Sequence, residues 1–356
     1  MTHYALPTTA DLLELGAPRA DALSIYLTTD PTPAGRDLAF TTAKSAVDEA
    51  IRALRAAGRS HAEQEWLRTQ WDVVAEDSEL WGNLASSLAI FIAPDFIDEY
   101  VLPNSFEAHT HLGSRFDVGQ LIRAVTTPQR AFALTLSSNG WNLWAATESS
   151  RVTEFPLVGE HAEDAADATN RMSIRGRKLL RRLGGDEGQK VLLDRYAQVL
   201  AGAVRDELAP VDPAGDVPLF VFANEPLSSM IVAHGLPGEV VVVRGAADEL
   251  RPDQIDEAIR ERIGEITARR LSAVADKIGD GFAAGLASTD VAQAARAAAV
   301  GAIGAITFDE NGEDLLAAIA LLVLANGGEV HAVRPGEIDA EIWNGRLLAG
   351  LRRALA

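Results

Sequence analysis

The runs AFALTLSS (131–138) and WNLWAATE (141–148), joined by Asn139-Gly140, constrain the fold more than any other stretch of this chain. Asn and Gly both accept the left-handed backbone that a two-residue turn demands, so β-rich runs joined this way pair as an antiparallel hairpin. RVTEFPL (151–157) reads as a third strand beside them. PLFVFA (218–223) and EVVVVR (239–244) are unbroken apolar runs, the pattern of strands buried on both faces. Before them a helix is predicted from about Gly188 to Leu208, with Leu192, Tyr196, Val199 and Ala203 along one face. Residues 128–245 therefore read as a domain built on a mixed sheet.

The flanking segments have their own alternation of strand and helix signals. In residues 1–127, strands are expected at 22–29, 87–94 and 99–103. Helices are expected at 37–57 and about 63–75, the first carrying Phe40, Ala43, Val47, Ala50, Ile51 and Leu54 on one stripe. In residues 246–356, helices at 252–280 and 289–299 precede a strand at 302–308, a helix at 313–325 and a strand at 329–333. That order suggests a small α/β sandwich. A chain of 356 residues is long for one core, so a three-domain α/β protein is the expectation.

Some classes are excluded by composition. The chain has no cysteine, which removes disulfides, thiolate metal sites and cysteine nucleophiles and fits a cytoplasmic protein. Its N-terminus has no basic stretch followed by an apolar core, so no secretory signal is expected. The longest apolar run, Leu315 to Ala325, is too short to span a bilayer, and no membrane partner is expected. The sequence contains no phosphate-loop, dinucleotide, serine-elbow or zincin motif, and no cofactor is implied. His109 and His111 would share one face of a strand, a spacing that suits a metal. With no clear third ligand they read more simply as a satisfied or exposed pair. The acidic run EHAEDAAD (160–167) reads as a solvated loop.

Charge supplies the functional lead. The chain carries a formal net charge of −19, yet residues 170–190 net +5. Their basic residues are Arg171, Arg175, Arg177, Lys178, Arg181, Arg182 and Lys190, followed or interrupted by Gly184-Gly185 and by Asp186 and Glu187. Global acidity opposes non-specific nucleic-acid binding at long range, whereas a local basic contact acts within a Debye length. Two readings stand. Arg175, Lys178 and Arg182 are the wet face of a helix whose Leu179, Leu180 and Leu183 pack inward, or the cluster meets RNA phosphates and the glycines allow close approach.

The order of segments resembles the bacterial relatives of the archaeo-eukaryotic peptide-chain release factors, a superfamily that includes the ribosome-rescue protein Pelota. The resemblance rests on SIYLTTDPTPAGRD and LAIFIAPDFIDEYVLP in the first segment. In the middle it rests on RAFALTLSSNGWNLWAATESSRVTEFPL, RGRKLLRRLGGDEGQKVLLDRYAQVLAGAVRDEL and VPLFVFANEPLSSM. In the last it rests on ASTDVAQAARAAAVGAIGAITFDE and LANGGEVHAVRPGEI. Release factors of this superfamily carry a Gly-Gly-Gln tip before a long helix, where the glutamine helps water attack the peptidyl-tRNA ester. The corresponding place here reads Gly184-Gly185-Asp186-Glu187-Gly188-Gln189. The resemblance thus implies Gln189 as the catalytic candidate, with Gly188, Gly185 and Gly184 shaping the turn. It implies the ribosome, with its rRNA and tRNA, as the partner of the basic segment, and a protein partner for the last domain. Carboxylates at a tip among phosphates are electrostatically unfavourable. The expectation is therefore a factor of termination, rescue or dormancy that binds ribosome or tRNA without efficient catalysis. The alternatives are an active peptidyl-tRNA hydrolase, or a protein-binding scaffold that has kept the fold without RNA binding.

Overall fold

The computed structural model describes all residues except 1, 103, 105, 128–129, 148–151, 171–185, 246, 313 and 354–356. It is a mixed α/β structure with three sheets, one in each of the segments distinguished above. By contacts the chain divides into two compact units, residues 1–128 with 265–356 and residues 129–264.

In the first unit, the N-terminal sheet has the order β1-β4-β3-β2-β5. Its strands are β1 (Thr2–His3), β2 (Ala22–Thr28), β3 (Ser87–Ala93), β4 (Phe96–Leu102) and β5 (His109–Gly113). Only β1 pairs parallel, with β4. Helices α1 (Thr9–Leu15), α2 (Pro33–Ala56), α3 (His61–Glu76), α4 (Ser78–Gly82) and α5 (Gly119–Thr126) complete the segment. Alternation along β2 explains why it is buried nearly throughout. Leu23, Ile25 and Leu27 pack with Val47, Ile51 and Trp71 of α2 and α3. Ala22 and Tyr26 belong instead to a second cluster. Sequence pattern starts α2 late, at Asp37, because DPTPAG resembles a turn. The helix begins at Pro33, whose missing N–H costs nothing at the first helical position, and the Thr32 hydroxyl accepts from Gly35 N at 3.2 Å.

The second cluster is shared between the ends of the chain. It joins Tyr26, Phe91, Tyr100 and Leu121 to Ala297, Phe308, Leu316, Ile319 and Leu347. Phe308 and Leu347 come from the C-terminal sheet, and Ala297, Leu316 and Ile319 from the helices beside it; the sheet has the order β11-β14-β12-β13, with β11 (Ala287–Ser288), β12 (Ile303–Asp309), β13 (Glu329–Val333) and β14 (Leu347–Leu351). The parallel strands β12 and β13 flank a crossover that contains the apolar helix at Asp314–Ala325. Among the elements without a sequence expectation are β5, which carries the histidine pair, and β14, which sits between β11 and β12.

The middle unit has the expected mixed sheet, ordered β10-β9-β6-β7-β8. Its strands are β6 (Ala131–Ser137), β7 (Gly140–Ala146), β8 (Thr153–Glu154), β9 (Leu219–Ala223) and β10 (Val240–Val243). Strands β6 and β9 and strands β9 and β10 pair parallel, whereas β6, β7 and β8 are antiparallel. The hairpin forms with a one-residue adjustment. Ser137 pairs with Gly140, so the two-residue turn is Ser138-Asn139 and Gly140 opens the strand. The Ser137 hydroxyl accepts from Asn139 N at 3.0 Å, which stabilises that turn.

Candidate nucleic-acid interface

The candidate interface is organised by the long helix of the middle unit. It spans Asp186–Leu208 and is labelled α7, after α6 (Ala165–Asn170). Tyr196, Ala197, Leu200, Ala201, Val204 and Leu208 pack it on Phe132, Leu134, Leu143 and Val221 of the sheet. The expected stripe of Leu192, Tyr196, Val199 and Ala203 is met only at Tyr196, which is fully buried; Val199 is 40% exposed and Leu192 and Ala203 are half-buried. Two apolar stripes lie side by side on this helix, and contact with the sheet selects between them.

Polar ties fix the helix at its sides. Glu207, nearly buried, accepts from Val158 N at 2.9 Å and meets His161 Nε2 at 2.7 Å. Asp194 meets His234 Nε2 at 2.9 Å, and Arg205 donates to the His234 carbonyl at 2.8 Å. These ties hold α7 to the loop before α6 and to α8 (Leu227–Ala233). The helix is thus braced by polar ties as well as by apolar packing.

The sequence candidates fall on both sides of the described boundary. Arg171, Arg175, Arg177, Lys178, Arg181, Arg182, Gly184 and Gly185 lie outside the described residues. Gly188, Gln189 and Lys190 are described, and all three are inside α7, which begins two residues earlier than the sequence expectation. Gly188 is buried, whereas Gln189 and Lys190 are exposed side by side in the first two turns. The N-terminal end of a helix offers unpaired N–H groups and the positive end of the helix dipole, which favour an anion. Asp186 and Glu187 open the same helix.

An open cleft of about 890 Å³ lies at the hairpin end of this unit. Glu160, Glu163 and Asp248 line it with Asn139, Trp141 and Trp144. Its indole N–H groups are engaged internally: Trp141 donates to the Ala162 carbonyl at 2.8 Å and Trp144 to Thr135 Oγ1 at 3.0 Å. Three carboxylates make this cleft hostile to phosphate. The acidic run is not wholly a loop, since Ala165–Asn170 is helical and Asp164 Oδ1 accepts from Asp167 N at 2.7 Å.

The histidine pair lies in the first unit. His109 Nε2 meets Asp117 Oδ2 at 3.3 Å, and His111 Nε2 meets Asp314 Oδ1 at 2.8 Å. Donation of a hydrogen bond to the Asp117 carboxylate pushes His109 above its ordinary pKa, against the opposing effect of burial. Among the described residues no group of three His, Asp or Glu side chains is arranged to hold a metal ion.

Residues 128–269 match the family model for bacterial archaeo-eukaryotic release factor family 11. The match covers the middle unit entirely and relates that part of the chain to the archaeo-eukaryotic release factors. No curated protein matches the sequence. Among solved structures, ribosome-bound archaeal Pelota is 15% identical, with 75% of this chain and 73% of that chain covered and a TM-score of 0.44. Archaeoglobus fulgidus Pelota is 13% identical, covering 75% and 78% at a TM-score of 0.35. An archaeal translation termination factor is 13% identical, covering 99% of both chains at a TM-score of 0.26.

Proposed function

We propose that this protein is a translation factor of the release-factor type that binds the ribosome or tRNA in termination, rescue or dormancy and does not efficiently hydrolyse peptidyl-tRNA. The observation that carries the reading is the family match over residues 128–269, because the same region contains the basic island of an otherwise acidic chain. Arg171, Arg175, Arg177, Lys178, Arg181, Arg182 and Lys190 are its phosphate contacts. The three segments 1–127, 128–245 and 246–356 act as its modules, the last docking a protein partner. The setting is the cytoplasm. Among the described residues no helix is long and apolar enough to cross a membrane.

The helical placement of Gly188 and Gln189 supports the non-catalytic version. A water-positioning glutamine needs its backbone N–H and side chain aimed together at the ester, on a turn that glycine makes accessible. Gln189 is instead an exposed residue of a regular helix. The charge of −19 favours a second reading, a scaffold that retains the fold without the RNA role. Co-sedimentation with ribosomes at low and moderate salt separates the two. The translation factor pellets with ribosomes and is released as salt rises; a scaffold stays in the supernatant at both. In the same preparation, release of labelled peptide from stalled ribosomes is expected to stay at background. Fast release lost in Gln189→Ala would establish the hydrolase.

A further inference from the structure

The acidic cleft at the hairpin end of the middle unit combines carboxylates, apolar surface and a free strand edge. Glu160, Glu163 and Asp248 line it as exposed side chains, and among the described residues no lysine or arginine does. His161, the other titratable group of the lining, is committed to Glu207 at 2.7 Å. The half-buried Trp144 and the exposed Leu157 give the cleft apolar surface. A second cavity of about 520 Å³ shares Glu160, His161 and Ala162 with the cleft and reaches Val199 and Asp206 of α7.

The free edge follows from the hairpin register. Ser137 and Gly140 face each other across the two-residue turn and bond to one another, so Asn142 is the next residue of β7 to bond β6. Trp141 and Leu143 therefore turn their backbone groups away from β6. The Leu143 carbonyl accepts from Phe155 N at 2.8 Å, as that alternation requires. β8 pairs only with Trp144 and Ala145 and ends before Trp141. Trp141 belongs to the cleft lining, so its outward N–H and C=O stand there with no strand beside them. On the Asp248 side the Tyr196 hydroxyl is completely buried without a hydrogen-bond partner among the described residues, and the charges that act on it are Asp164 and Asp248. It is a donor that lacks an acceptor.

We propose that this cleft binds an extended, arginine-bearing segment of a partner protein, laid along the free edge of β7 with its guanidinium groups on Glu160, Glu163 and Asp248. Each part of the site selects one part of such a segment. An open strand edge takes a peptide backbone by strand addition. A carboxylate accepts two parallel hydrogen bonds from a guanidinium, which favours arginine over lysine. Trp144 and Leu157 offer apolar surface to the aliphatic stems of the arginines. A bare polyamine would match the carboxylates but leave the strand edge and the Tyr196 hydroxyl without partners. The net charge of −19 draws any basic partner in from a distance, and the cleft decides where it stays.

Fluorescence anisotropy of a labelled peptide of alternating arginine and serine, titrated with the full chain, tests this; strand alternation puts its arginines on one face. The parent should bind this peptide and should not bind a counterpart with glutamate in place of arginine. Glu163→Gln with Asp248→Asn should weaken binding at least about tenfold, because each change removes a charge-assisted acceptor. Asp72→Asn with Glu76→Gln removes the same charge from α3 of the first unit and should leave the affinity within about twofold. All four side chains are exposed and their replacements isosteric, so the fold is expected to persist in both variants. Methylation of the peptide's backbone nitrogens, which blocks strand pairing, should also weaken binding about tenfold. Equal losses in the two double variants would overturn the proposal as a whole-chain charge effect. So would an unchanged affinity of the methylated peptide, or displacement by spermine as effective as by unlabelled peptide at equal charge, since the cleft would then respond to charge alone. No RNA enters the test, so its failure leaves the ribosomal reading standing.

Discussion

The two units fasten distant parts of the chain by different chemistry. In the middle unit α7 lies on its sheet through apolar side chains, Leu200 and Val204 against Leu134 and Val221. In the first unit the terminal segments share an apolar cluster, but Arg123, Glu310 and Arg334 bridge their meeting place. Apolar burial is non-directional and indifferent to pH over the physiological range. A buried ionic network depends on geometry, and its members are unequal: removing one leaves another charge uncompensated in a dry place. The first kind of fastening holds; the second holds and responds.

The largest effect should come from breaking the ionic joint. Arg123→Ala leaves Glu310 buried with Arg334 alone beside it of the two guanidinium groups, and removal of one partner of a buried pair costs about 3–5 kcal/mol. Glu310 already has a raised pKa because burial disfavours its charged form. Removal of Arg123 raises it further, so the variant should regain part of its stability in acid, where the carboxyl is neutral. Denaturant midpoints of parent and variant at about pH 5 and about pH 8 measure this. A destabilisation equal at both pH values would show that Arg123 contributes by packing alone.

The apolar fastening gives the contrasting case. Leu200→Ala deletes a fully buried side chain between α7 and the sheet and should cost about 3 kcal/mol, within the usual span of about 2–5. That cost should be the same at both pH values. Among the described side chains of the cluster that encloses Leu200, the titratable group is the Tyr196 hydroxyl, which burial pushes upward and keeps neutral. A pH-dependent cost would dissolve the contrast between the two units.

The sequence was most legible where one local signal had no competitor. The middle strands, the hairpin and α7 follow from period and turn chemistry with shifts at their ends, the largest in β8, which is only Thr153–Glu154 where 151–157 was expected. The strand β14, Leu347–Leu351, was not legible: LLAGL followed by Arg352-Arg353 has no alternation, and its pairing with β11 and β12 depends on residues about sixty and about forty positions away. The charged joint was invisible for a related reason. Arg123 and Glu337 are separated by 214 positions, and neither stands out in its own neighbourhood. The histidine pair did stand out, but only the fold supplied Asp117 and Asp314 as its partners. At the candidate interface the sequence signal was charge, and charge names a surface without giving its geometry.

The smallest effect on stability should accompany the largest on binding. Replacing Arg175, Lys178, Arg181 and Arg182 together with Gln removes four positive charges from a chain that is already acidic. Exposed charges contribute little to folding, so the denaturant midpoint should correspond to a change of less than about 0.5 kcal/mol. Binding to ribosomes should weaken, because every phosphate left unneutralised takes about 0.7–0.9 from the slope of log affinity against log salt. The variant should therefore differ most from the parent at low salt and converge on it as salt rises. That convergence separates direct phosphate binding from a disturbed fold, which would depress binding at every salt concentration. An unchanged slope would mean that these four side chains are the solvated face of a helix, and that whatever this unit binds is reached by other residues.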